Sequence, residues 1–150
     1  MTAAAHVIFC DEVRQEANGK LLYIGVYMGD IVFQILPANA NITCVLYISQ
    51  DKQSVSDRVM VHVTLPDGTK SSVAVQISQD REKIGTIIAD DGFKRVLSSF
   101  FLPLQMVLTE GRIVVDVELD GEVIRAGALR VQAAPPVSEQ LPPASVPPTT

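Results

Sequence analysis

The sequence predicts an all-β domain, an antiparallel β-sandwich of about eight or nine strands, with a closed β-barrel as the alternative. Three observations predict it. Apolar and polar residues alternate over several short runs, the pattern of half-buried strands. Turn-forming residues punctuate the chain at intervals of about 8–12 residues. Val, Ile and Leu dominate the apolar content, Trp is absent and aromatics reach only 5%, and β-branched residues suit a pleated surface better than a helix. The sandwich is favoured over the barrel because strand lengths vary and the connection around Gln50–Asp57 is long, as in crossings between sheets.

The elements follow in order. Ala4–Cys10 is the first apolar run, and a charged stretch then leads to an Asn18-Gly19 reversal. Lys20–Met28 alternates with both faces largely apolar, as expected of a central strand, and Ile31–Leu36 follows before Pro37-Ala38-Asn39. Ile42, Cys44, Leu46 and Ile48 face the core, with Thr43, Val45, Tyr47 and Ser49 outward. Val59, Val61, Val63 and Leu65 share one face, Pro66-Asp67-Gly68-Thr69 turns the chain, and Val73, Val75 and Ile77 share the next. Ile84–Ala89 is a weaker strand. Phe93, Val96, Leu97, Phe100 and Phe101 fit helical spacing, and Pro103 would end such a helix near Leu102. The Ser pair and the adjacent phenylalanines favour a strand there instead. Ile113, Val115, Val117 and Leu119 alternate into an Asp120-Gly121 turn of the two-residue hairpin type. In the return strand, Val123–Val131, alternation is lost at Ala126-Gly127-Ala128, which marks a bulge.

The domain is expected to span residues 1–132. After Gln132 the run AAPPVSEQLPPASVPPTT carries three Pro-Pro pairs, which oppose both helix and ladder, so residues 133–150 are expected to form a disordered tail. A domain of this length buries roughly two thirds of its unfolded surface and needs no disulfide or metal staple. The apolar run Val7–Phe9 is too short for a signal segment, and nothing approaches the ~18 apolar residues of a membrane span. Cytoplasmic location is the resulting expectation. Cys10 and Cys44 then read as reduced buried thiols rather than a disulfide, and the Asn41-Ile42-Thr43 sequon as chance. A net charge of −5, scattered cations and few aromatics argue against nucleic-acid binding.

Cys10-Asp11-Glu12-Val13-Arg14-Gln15-Glu16, then Gly19-Lys20, then Ile24-Gly25-Val26-Tyr27 resembles a pattern in short uncharacterised bacterial and phage proteins, a family catalogued as a domain of unknown function. The likeness extends over residues 5–132. It implies a small all-β domain and carries over no activity.

His6 and His62 are the imidazoles available for catalysis, and no nucleophile elbow, zinc-protease motif or phosphate-cradling loop accompanies them. The expectation is a protein without enzymatic activity. Asp11, Glu12, Arg14, Glu16 and Lys20 form the densest charged cluster, readable as exposed ion pairs or as a recognition edge beside the Asn18-Gly19 turn. If successive strands alternate up and down, Asp11, Asp67, Asp90, Asp91 and Asp120 fall at one end, a carboxylate set of the kind calcium needs. Asp67 and Asp120 also each precede a turn Gly, where Asp is favoured locally. No cofactor is expected beyond that calcium alternative. The leading expectation is a binding or assembly module with a protein partner, such as a second copy in a homodimer, and with no nucleic-acid or membrane partner. The surplus apolar residues Tyr23, Tyr27, Val45 and Tyr47 suggest strands covered on both sides. A metal or small-ligand site is the alternative, and an unrecognised hydrolase the third reading.

Overall fold

The computed structural model describes residues 3–51, 53–56, 58–76, 86–88 and 94–136. They form eleven strands: β1 (Ala4–Cys10), β2 (Glu12–Gln15), β3 (Leu21–Ile24), β4 (Asp30–Phe33), β5 (Ala38–Asp51), β6 (Arg58–Thr64), β7 (Lys70–Gln76), β8 (Thr86–Ile88), β9 (Lys94–Leu108), β10 (Gly111–Leu119) and β11 (Glu122–Ala133). No helix occurs among the described residues. One sheet has the order β1-β5-β9-β8, the other β4-β11-β10-β6-β7, and β2 with β3 forms a separate ribbon. The arrangement is an open sandwich, not a barrel, because among the described residues no ladder joins the end strands of the two main sheets.

The core lies between these sheets. Phe9, Ile42, Leu46, Ile48 and Leu108 from one meet Val61, Ile113, Val115, Val117 and Leu129 from the other. Alternation in the sequence maps directly onto this burial in β6 and β10, where Val59, Val61, Val63, Ile113, Val115, Val117 and Leu119 are at most 3% exposed. The β5–β6 connection crosses between sheets, as its length suggested. It is anchored by Gln50, whose buried Oε1 accepts the Ser56 N–H at 2.9 Å.

Several expectations change in detail. Lys20–Met28 is not one central strand. Gly25 takes a φ of +66° and ends β3, and a single bridge from Tyr27 to Phe9 replaces further pairing. The chain then crosses to the other sheet, where β4 pairs with β11 in parallel, the one departure from antiparallel order among the described ladders. Phe93 lies outside the described residues, but Lys94–Leu108 is a continuous strand, not a helix. Pro103 is accommodated because β8 pairs only with residues 94–96 of β9, so farther along β9 one side needs no N–H for a ladder. The bulge in β11 is present: Val115 opposes Gly127 and Asp116 opposes Arg125, which leaves Ala126 as the extra residue. β7 lies at a sheet edge, which leaves Val73 38% exposed despite its inward register. β11 ends one residue past the expected boundary. Residues 137–150, most of the expected tail, and Ile77, Ile84 and Ala89 lie outside the described residues.

Candidate functional site

The region singled out in the sequence is built around the ribbon. β2 pairs with β3 so that Val13 opposes Tyr23 on one face, with Arg14 opposite Leu22 on the other. The turn between them is closed by Glu16 N–H to Lys20 O at 2.8 Å and by Asn18 Oδ1, which accepts the Lys20 N–H at 3.0 Å. The ribbon lies over the outer face of β5, where the Tyr23 and Tyr47 hydroxyls are hydrogen-bonded. Val45, on that outward side of β5, is fully buried. The surplus apolar residues of the sequence are thus covered by a segment of the same chain.

Asp11 holds the far end of the ribbon. Its N–H donates to Ile24 O at 3.0 Å, its carboxylate accepts the Tyr27 hydroxyl, and its side chain lies against the bare Cα of Gly25. Burial, reinforced by the bond to Asp11, pushes the Tyr27 phenol up to about 12. Burial and the Tyr47 contact do the same for Tyr23. The spacing Asp11…Gly25-x-Tyr27 is therefore a structural lock.

Tyr27 also marks one end of the open side of the sandwich. Its N–H donates to Phe9 O at 2.8 Å, which shows that the Phe9 backbone points away from β5. In a strand, alternate residues point the same way, so the N–H and C=O groups of Ala5 and Val7 face this side too. Among the described residues no ladder pairs them, but β11 packs close against this side, with Gly127 beside Val7 and its backbone carbonyl. Opposite them, β4 covers only residues 130–133 of β11. Between the two edges lies a groove of about 430 Å³, bounded by Val7–Phe9, Gly127-Ala128 and the crossing segment 26–29. Val7 Cγ1 packs so closely on Gly127 that a Cβ there would sit 2.7 Å away. Met28, at the lip, is 92% exposed.

The other expected site residues are dispersed. Glu12 and Arg14 form an exposed bidentate pair at 2.9 and 3.0 Å, and Arg14 lowers the Glu12 carboxyl below its ordinary value. Glu16 and Lys20 serve the ribbon turn through their backbones. Asp67 and Asp120 do not converge. β6 and β10 run antiparallel side by side, so the turns that follow each lie at opposite ends, about 20 Å apart at the usual strand rise. Asp67 accepts the Thr69 N–H at 2.8 Å, and Asp120, at φ 49°, shapes its hairpin turn. Asp90 and Asp91 lie outside the described residues, among which no group of three metal-ligating side chains occurs. Cys10 and Cys44 are both buried and free. They occupy successive register positions on β1 and β5, with Cys44 inward and Cys10 outward, so they point to opposite faces.

Sequence reading missed one network. The His62 Nε2–H donates to Glu118 Oε2 at 2.9 Å, and Nδ1 shares a hydrogen bond with Ser72 Oγ at 2.7 Å. Beside it Arg125 Nε donates to Asp116 Oδ1 at 2.6 Å. Ser72, His62, Asp116 and Arg125 are directly opposed on β7, β6, β10 and β11, so this is a cross-strand polar ladder on the outer sheet face. The alternation of each strand was visible, but the order of strands that aligns these residues was not.

A family described as a family of unknown function (DUF6941) matches residues 5–132, from the second residue of β1 almost to the end of β11. No curated protein matches the chain.

Proposed function

The chain belongs to that family, and we propose that it is a non-enzymatic binding and assembly module that takes an extended protein segment at the unpaired edge of β1, in the groove between β1, Gly127-Ala128 and the crossing segment 26–29. One observation carries this reading, namely the contrast between β1 and every other described edge. Natural sheets protect exposed edges with charges, Pro, bulges or short length. β7 opens on Lys70, β8 has three residues, β9 carries Pro103 beyond β8, and β4 has four residues beginning with Asp30. The uncovered half of β11 has the Ala126 bulge and the Arg125 charge. β1 has seven residues in unbroken register, Ala-Ala-His-Val-Ile-Phe-Cys, with no charged side chain, Pro or bulge.

Strand addition to such an edge gains affinity from main-chain hydrogen bonds and specificity from pockets for alternate side chains. Here the groove beside Gly127 supplies the pocket. The reading takes the protein as a cytoplasmic component, as its sequence leads one to expect, of a bacterial or phage system, the setting of the proteins that its N-terminal motif resembles. No helix among the described residues is long and apolar enough to cross a membrane. The test is selection of short peptides from a random displayed library on the immobilised protein, followed by amide-resolved NMR of the bound complex. Peptides that shift and protect Ala5 and Val7 are expected. A library whose binders all map to other surfaces, or one that yields none, would refute strand addition.

A further inference from the structure

We infer that Ser72 is a reactive acyl acceptor, a serine whose hydroxyl takes an acyl group from an activated ester or thioester with His62 as its base. The inference is independent of the strand-addition reading. The acyl group passes to the protein itself, once per chain, so no turnover is asked of it. Part of the polar ladder carries the inference. The Ser72 hydroxyl lies 2.7 Å from His62 Nδ1, and Glu118 Oε2 lies 2.9 Å from Nε2. A carboxylate only accepts, so it holds the proton of the neutral ring on Nε2 and leaves the Nδ1 lone pair facing the Ser72 O–H. A nucleophile, a base and an orienting group need this spacing and this placement of the proton. The His62 side chain is 12% exposed, whereas Ser72 is open to solvent, so the base is packed in place and the nucleophile is accessible.

The sheet edge supplies the remaining parts. The Leu65 N–H donates to Thr69 O. Hydrogen-bonded pairs alternate from there along β6 and β7, which makes His62 and Ser72 a non-hydrogen-bonded pair. The Ser72 N–H therefore points away from β6, and β7 ends its sheet, so among the described residues no ladder takes that N–H. It is a donor beside the hydroxyl for the oxygen of an attacked carbonyl. On the same face a hollow of about 340 Å³ opens against Arg58, Met60, Glu118, Asp120 and Gly121, and Met60 is the next outward residue from His62 on β6. Its two carboxylates against one guanidinium favour a neutral or cationic acyl group over an anionic one. In the transfer, the Ser72 oxygen bonds to the acyl carbon as its proton passes to Nδ1, and the carbonyl electron pair moves onto oxygen. Return of that pair breaks the bond to the leaving aryloxide or thiolate, which takes the proton from Nδ1.

The test treats the full chain with p-nitrophenyl acetate and maps the acetylated residues by mass spectrometry. Neutral hydroxylamine cleaves a serine ester and spares lysine amides, which separates the two products. An ester is expected at Ser72 and none at Ser71, which is equally open to solvent but lies in the opposite register. His62→Gln should slow acetylation of Ser72 by about 10²-fold, the lower end of what a general base supplies. That variant should still melt cooperatively, and added imidazole should restore part of the rate. Glu118→Gln should slow the transfer as well, with Glu118→Asp recovering part of the loss. No ester at Ser72, equal labelling of Ser71 and Ser72, or an unchanged rate in His62→Gln or Glu118→Gln overturns the inference.

Discussion

Gly25 shows how a single residue is held by what packs on it. Its φ of +66° is a conformation that L side chains rarely adopt, and a Cβ there would overlap the Asp11 carboxylate. Gly25→Ala should cost about 1–3 kcal/mol, since strained φ and steric conflict act together. Chemical denaturation measures this, and a stability unchanged from wild type would contradict the Asp11 contact. Tyr27 gives a second test through pH. Its phenol is raised from 10.0 to about 12 in the fold, so the unfolded chain releases the proton first as pH climbs. The stabilisation from Tyr27 is complete below about pH 10 and is lost as pH approaches about 12. The loss of stability over that interval should be smaller in Tyr27→Phe than in wild type, and an equal loss would show that the phenol is not held as described. The motif containing these residues stood out in the sequence, but its purpose did not. Asp11 and Gly25 lie fourteen positions apart, and the pairing of β2 with β3, which sets Glu12 opposite Ile24, brings them together.

Elements were legible where one face is buried and the other solvated. In β6, Val61 is 1% exposed on the inward face, and Val61→Asp should abolish cooperative folding because it buries a carboxylate without a partner. Circular dichroism and a thermal melt decide this, and a variant that melts cooperatively near the wild-type temperature would refute the core assignment. The bulge of β11 was legible through Ala126-Gly127-Ala128, but its neighbour was not. Gly127 faces Val7 across the sandwich, and a Cβ there would stand 2.7 Å from Val7 Cγ1. Gly127→Val should destabilise by about 1–3 kcal/mol through overpacking, read from the denaturation midpoint. Lys20–Met28 misled because an apolar surface on both sides has two explanations, a central strand or a ribbon folded over a sheet. Periodicity does not distinguish them. Gly25 and Gly29, both with positive φ, are the physical reason the chain breaks there and crosses between sheets. The strand favoured over a helix after Phe93 is present from Lys94 and runs on through Pro103, because a proline's effect depends on whether a neighbouring strand needs its N–H, which is a property of sheet order.

At the scale of the whole molecule, two sheets of unequal width leave edges, and the edges differ in chemistry. The inner face is continuous and apolar, and the outer face of the wider sheet carries the polar ladder through His62 and Asp116. The outer face of β5 is capped by the ribbon, which removes the Tyr23 and Tyr47 surface as a docking face. What is left without charge, Pro or bulge is the edge of β1. The carboxylates of Asp67 and Asp120 could be placed on turns from sequence, but not at their separate ends, because that depends on β6 and β10 being spatial neighbours. The central claim, that the β1 edge takes another chain segment, is tested most directly by amide hydrogen exchange along β1 with and without a selected peptide. His6 and Ile8 bond inward to β5, whereas Ala5 and Val7 point to the open side. The account predicts that His6 and Ile8 are protected in both states and that the peptide selectively protects Ala5 and Val7. Exchange at Ala5 and Val7 that stays fast at saturating peptide, or protection that never separates them from His6 and Ile8, would contradict it.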